Sequence, residues 1–93
     1  TIATKLGPKF PDLRYRLARL MLEAGQTLEA REELELVVRT RPNFLDALAL
    51  LGLARYLSGD ALGAEEVWRD CLTRRPEDAR VEAYLAMLSR GAR

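Results

Sequence analysis

Few residues in this 93-residue chain could carry covalent or acid–base chemistry. It contains no His and a single Cys, Cys71. That removes a His-based nucleophile triad, an internal disulfide and a His-built zinc site. Acid–base catalysis needs titratable groups positioned in a pocket. The 14 acidic residues fall mainly at expected helix starts or on solvated faces. Cys71 follows Trp68 by three positions and reads as a small buried apolar residue. No His stands ready to activate its thiol, and no second Cys could resolve an oxidised form. The sequence therefore predicts no catalysis, no metal and no cofactor. The remaining chemistry is recognition. Tyr, Met and Arg, all present in the chain, are residue types that protein interfaces favour.

Charge and composition narrow the partner. Fifteen basic residues oppose 14 acidic ones, for a formal charge of +1. A near-neutral chain makes no strong electrostatic case for nucleic acid or an anionic membrane. The 13 Arg against 2 Lys are interspersed with acids rather than gathered into a basic stripe. The longest apolar run, Ala47 to Leu51, is far short of the roughly 20 residues a membrane helix needs. The expectation is a soluble domain binding neither nucleic acid nor membrane. Residues 1–8 show neither an initiator Met nor a signal-peptide core, which suggests a start inside a longer protein.

The elements that must position these residues are marked by recurring breakers. Pro8, Pro42 and Pro76 fall 34 residues apart, as do Gly25 and Gly59. The same offset links Asp12 to Asp46, Leu17 to Leu51, Ala30 to Ala64 and Arg41 to Arg75. Such a period means stacked supersecondary units. Each unit reads as two helices. Apolar residues at helical spacing predict one from Pro11 to Ala24, which Gly25 ends. Thr27 is placed to cap a second helix running to about Thr40, with Pro42 beyond it. Leu45 to Ser58 and Ala61 to about Arg74 repeat the plan, and a fifth helix runs from about Ala79 to Arg90. Acid-before-base pairs four apart, Glu35–Arg39, Glu65–Arg69 and Asp70–Arg74, support the helices by roughly 0.2–0.5 kcal/mol each. No segment alternates like a strand.

A 34-residue helix–turn–helix unit resembles the tetratricopeptide repeat (TPR), with its pattern W-x2-L-G-x2-Y, A-x3-F and P. The second unit matches as Leu48, Leu51, Gly52 and Arg55, then Ala64, Trp68 and Pro76. The first reads Arg14, Leu17, Ala18 and Met21, then Ala30, Leu34 and Pro42. The resemblance implies an all-α fold, an α-solenoid of antiparallel helix pairs. The chain would be a single domain of about two and a half units: 11–44, 45–78 and a C-terminal capping helix over 79–93. Residues 1–10 would be the tail of a preceding unit or an N-terminal arm. Gly52, Ala18 and Ala86 would lie where paired helices approach most closely. Arg14 and Arg55 depart from the pattern where aromatic residues are common. Polar Glu82 and Ser89 suit a terminal helix that faces water. Leu13 and Leu20 would form an open N-terminal edge, to be covered by residues 1–10 or by a second molecule.

The resemblance also implies a curved array whose concave face is lined by the first helix of each unit. The stripe at 3-4-3 spacing is Asp12, Tyr15, Arg19 and Leu22; Asp46, Ala49, Leu53 and Tyr56; and Arg80, Ala83, Met87 and Arg90, with Tyr84 beside it. Leu17, Leu51, Leu85 and Trp68 already supply a core, so the stripe reads as surplus to it. The expected partner-binding set is Tyr15, Arg19, Leu22, Leu53, Tyr56, Arg80, Tyr84 and Met87. One TPR subgroup clamps a C-terminal carboxylate with Lys, Asn and Arg. Here the corresponding places hold Tyr15, Arg19, Leu50, Arg80 and Tyr84, so no such clamp is expected. The expected function is a non-catalytic interaction module taking a peptide or partner helix in its concave groove. The alternative is an assembly module that self-associates through that groove or its N-terminal edge.

Overall fold

A computed structural model of the chain describes residues 11–91. Five α-helices follow one another: α1 Pro11–Glu23, α2 Thr27–Thr40, α3 Leu45–Leu57, α4 Ala61–Arg74 and α5 Ala79–Gly91. No strand occurs among the described residues. The α1/α2 and α3/α4 pairs pack most extensively, and α2 on α3 and α4 on α5 join one pair to the next. This is the expected all-α solenoid. Residues 1–10, read as a tail or arm, lie outside the described residues.

The turns show why the breakers recur. Gly25 and Gly59 have φ of +84° and +96°, a left-handed conformation that costs Gly little. At the first, Gln26 N–H donates to the Met21 carbonyl and Gly25 N–H to Leu22. Asp60 and Gly59 donate likewise to Arg55 and Tyr56. Both are Schellman closures, which satisfy carbonyls the helix end would otherwise leave open. Between units, Phe44 N–H reaches the Arg41 carbonyl and Asp78 N–H the Arg75 carbonyl. Pro42 and Pro76 occupy the second position of these turns, where the fixed φ of proline fits.

Helix starts depart from the simplest reading. Thr27 is the first residue of α2, and Gln26 holds the cap position without a side-chain cap bond. Asp60 caps α4 by accepting from Gly63 N–H at 2.9 Å. Asp78 accepts from the N–H groups of Arg80 and Val81 at the start of α5. Glu65–Arg69 and Asp70–Arg74 form as expected. Glu35 turns instead to Arg31 and to Arg55 across the α2/α3 boundary, so Arg55 works as an ion-pair partner in the place of an aromatic.

Packing centres on Trp68, which is fully buried. Its indole lies against the backbone of Gly52, so closely that a Cβ there would sit 2.2 Å from Nε1. The Nε1–H donates to the Ala49 carbonyl at 2.9 Å, which satisfies the ring's only polar atom. In the first pair, the equivalent positions hold Ala18 and Leu34, both fully buried. A larger residue on one helix accompanies a smaller one on the other.

A second difference between the pairs is electrical. Arg14 is only 3% exposed and pairs with Glu33 of α2. Thirty-four residues on, the same two positions are Leu48 and Val67, both in the apolar core.

Expected core leucines divide. Leu51 is buried, whereas Leu17 and Leu85 are half-buried. Of the small residues, Ala18, Gly52, Ala30 and Ala64 are buried, and Ala86 is exposed. Leu13 and Leu20 are 41% and 59% exposed; residues 1–10, expected to cover this edge, lie outside the described residues.

Two stability outcomes follow. Gly52→Ala should destabilise by about 1–3 kcal/mol through overpacking, despite better helix propensity. Arg14→Leu alone should cost roughly 2 kcal/mol by stranding the Glu33 carboxylate, while Arg14→Leu with Glu33→Val should be near neutral or stabilising. Urea midpoints of the single and double variants check both.

Candidate functional site

The expected stripe starts from the first helix of each pair, and α1 and α3 touch directly. Tyr15, Leu22, Leu53, Tyr56, Tyr84 and Met87 are all half-buried against the core. They are not simply surplus to it. Tyr84 stacks on Trp68 with ring centroids 4.9 Å apart and planes at 21°. Tyr56 meets the same indole at 6.3 Å and 41°. Trp68 is thus the floor on which both tyrosines rest. Tyr15 packs instead on Phe44, at 5.1 Å, and the Arg41 guanidinium lies over the other ring of that pair, 5.0 Å from the Phe44 centroid. Ala49 is buried and contributes its carbonyl rather than its side chain.

The two expected arginines differ in kind. Arg19 is exposed and shares a shallow surface with Arg16, Leu20 and Glu23 of α1. Arg80 is held by its own chain. Its guanidinium donates to Asp46 at 3.0 Å and lies 3.5 Å from Asp78. Burial by itself would lower the pKa of Arg80. The Asp46 hydrogen bond and the charges of Asp78 and Asp46 outweigh it and raise the pKa above its ordinary value, and Tyr15 adds a smaller electrostatic contribution. Asp46 also faces Arg75 at 3.6 Å. These four residues tie the start of α3 to the turn before α5.

This cluster was missed in the sequence, although a signal existed. Asp12 and Arg41 form the same contact, at 3.4 Å, one unit earlier. Both acids and both arginines recur at the 34-residue offset. Phe44 was also missed as a member of the Tyr15 surface.

Cys71 is buried. Burial, and then the negative charges of Asp70 and Asp78, push its thiol up to about 11. A thiolate is the reactive form, so this group is inert near neutrality. Among the described residues, no three His, Cys, Asp or Glu side chains gather as around a metal ion. No helix among them is long and apolar enough to cross a membrane.

Stacked helix hairpins with small residues at their crossings and Gly and Pro at their turns define an α-helical repeat protein. The family model for the tetratricopeptide repeat matches residues 3–56, and the chain belongs to that family. It is 37% identical over 60 residues to a TPR repeat-containing protein of Pseudomonas aeruginosa. The match covers 64% of this chain and 57% of the length of that relative. No solved structure matches the chain. TPR units generally mediate protein–protein interaction and are typically non-catalytic.

The Cys71 environment predicts a pH effect with a definite sign. Well below the ordinary thiol pKa of 9.0 the thiol is neutral in both states and the shift changes nothing. Between pH 9 and about 11 the unfolded thiol ionises while the folded one does not, so stability falls, by on the order of 2 kcal/mol. Urea titrations at several pH values should show part of the alkaline loss disappearing in Cys71→Ala.

Proposed function

We propose that the chain is a non-catalytic recognition module that takes a helix or extended apolar segment of a partner protein on the face lined by α1, α3 and α5. The observation that carries this reading is the half-buried apolar stripe Tyr15, Leu22, Leu53, Tyr56, Tyr84 and Met87. These side chains rest on the core yet keep part of their surface open. Exposed apolar area rimmed by charge favours association. Leu53 and Tyr56 lie on the central helix, where a ligand would be covered from both sides, and such positions tend to dominate binding energy. Arg19 is the charge available to a partner's acidic residue, since Arg80 is engaged by Asp46 and Asp78. Interface charges at the rim act more on rate and specificity than on affinity.

A second reading is supported by Leu13 and Leu20, 41% and 59% exposed on α1. Two copies of the chain could bury these edges against each other.

The first reading is tested on a partner captured by the parent protein. Leu53→Ala with Tyr56→Ala should weaken affinity at least about tenfold, or 1.4 kcal/mol, with helix content unchanged by circular dichroism. Arg19→Ala should weaken it less, and that loss should fade at high salt. Unaltered affinity in the double variant would move the site to the convex face or the loops. The second reading predicts a concentration-dependent dimer by light scattering that Leu13→Glu with Leu20→Glu dissolves; a monomer at all concentrations removes it.

A further inference from the structure

All three tyrosines of the chain, Tyr15, Tyr56 and Tyr84, stand on the first helices α1, α3 and α5. Each ring has another aromatic ring against it. Phe44 packs on Tyr15, and Trp68 packs on both Tyr56 and Tyr84. Contacts also link the three across the face. Tyr15 lies within electrostatic reach of Arg80, Tyr84 follows Arg80 by one turn of α5, and Trp68 joins Tyr84 to Tyr56. The phenol hydroxyls are left open. Among the described residues none of them has a hydrogen-bond partner, and no partnerless side-chain polar atom is buried, so all three reach solvent. Acceptors on this face are taken instead. Asp12 is engaged by Arg41, and Asp46 by Arg75 and Arg80. The Ala49 carbonyl accepts from Trp68. Glu23, the last residue of α1, is the acid that shares the surface of Arg19.

A face with supported aromatic rings, open hydroxyls and few free acceptors discriminates between backbones. A helix uses its N–H and C=O groups internally and leaves no backbone acceptor for the phenols. An ordinary extended segment brings N–H groups that find few acceptors here. A proline-rich segment presents carbonyls without N–H groups, and as a polyproline II helix it makes no internal hydrogen bonds. Such segments dock in aromatic-lined grooves, and their preformed shape lowers the entropy lost on binding. We infer that the stripe takes a proline-rich segment of another protein in the polyproline II conformation, its carbonyls accepting hydrogen bonds from the tyrosine hydroxyls. This rests on the stripe being the binding face, as proposed above. Tyr15 and Tyr56 keep exposed surface with α2 and α4 in place, so the second helix of a unit does not close the site.

The probe is decaproline blocked at both ends, about 31 Å long as polyproline II. Neighbouring helix axes are roughly 8–10 Å apart, so it can cross all three first helices. The comparator is a crosslinked amphipathic helix of leucine and glutamine of similar length. Titration of the 93-residue chain, followed by heteronuclear NMR, should give saturable shifts on α1, α3 and α5 with decaproline, and the helix should bind at least fivefold more weakly. Tyr15→Phe, Tyr56→Phe and Tyr84→Phe together keep the rings and remove the hydroxyls. The melting temperature should hold, since those hydroxyls bond nothing in the described chain, while decaproline should weaken at least tenfold. Leu53→Ala with Tyr56→Ala should weaken either ligand. Absence of saturable decaproline binding, affinity indifferent to the three Phe substitutions, or tighter binding of the helix overturns the inference. In those cases a helix that still depends on Leu53 and Tyr56 leaves the stripe as the binding face. Indifference of every bound ligand to Leu53→Ala with Tyr56→Ala removes both readings.

Discussion

The rest of the structure depends on the contact between Trp68 and the bare backbone of Gly52. The indole occupies the space a side chain would fill, and its N–H is satisfied by the Ala49 carbonyl. One ring thereby fixes how closely α3 and α4 approach. Its outer side supports Tyr84 and Tyr56. Packing within the unit, attachment of α5 and support of the tyrosine surface all meet in this side chain. Interiors packed to crystal density transmit such constraints, because a displaced ring has no empty volume to enter.

Around that centre, the two complete helix pairs satisfy the same geometry with different chemistry. Ala18 with Leu34 does for the first pair what Gly52 with Trp68 does for the second. Arg14 with Glu33 occupies the place of Leu48 with Val67. A buried charge pair is weak evidence of stabilisation, since desolvation offsets much of the attraction. It does discriminate between partners, because a charged position under a second helix demands the opposite charge. An apolar pair makes no such demand. The units of a solenoid share one backbone plan, and the two pairs fill it with different chemistry.

The charged residues at the unit boundaries serve the stack in another way. Asp12 with Arg41 and Asp46 with Arg75 repeat one contact, and Arg80 and Asp78 extend the second into a cluster. Apart from Asp78, which is largely buried, these residues are substantially exposed, where such pairs contribute roughly 0–1 kcal/mol. Their effect is orientational: they join the first turn of a helix to the loop that begins the next unit. Arg74 adds to this by donating to the Pro42 carbonyl at 2.6 Å. The junction between units therefore rests in part on side chains that composition alone would assign to solvent.

The period, the five helices, the placement of turns and the family are all legible in the chain of residues. Each follows from local rules: Gly25 and Gly59 supply a positive φ, Pro42 and Pro76 fit tight turns, and apolar spacing marks the buried side of each helix. The small residues at positions 18, 30, 52 and 64 were likewise legible, because close helix crossings require them. The partners of the long side chains are set by helices packed from elsewhere in the chain. Whether Arg14 meets water or Glu33, whether Arg80 is available to a partner or held by Asp46, and whether Tyr56 and Tyr84 line a groove or lean on Trp68 all depend on residues 12 to 34 positions away in the sequence. Helical periodicity places a Cβ on a face; it does not say which neighbour crosses that face, and the neighbour sets the partner of every charge and ring.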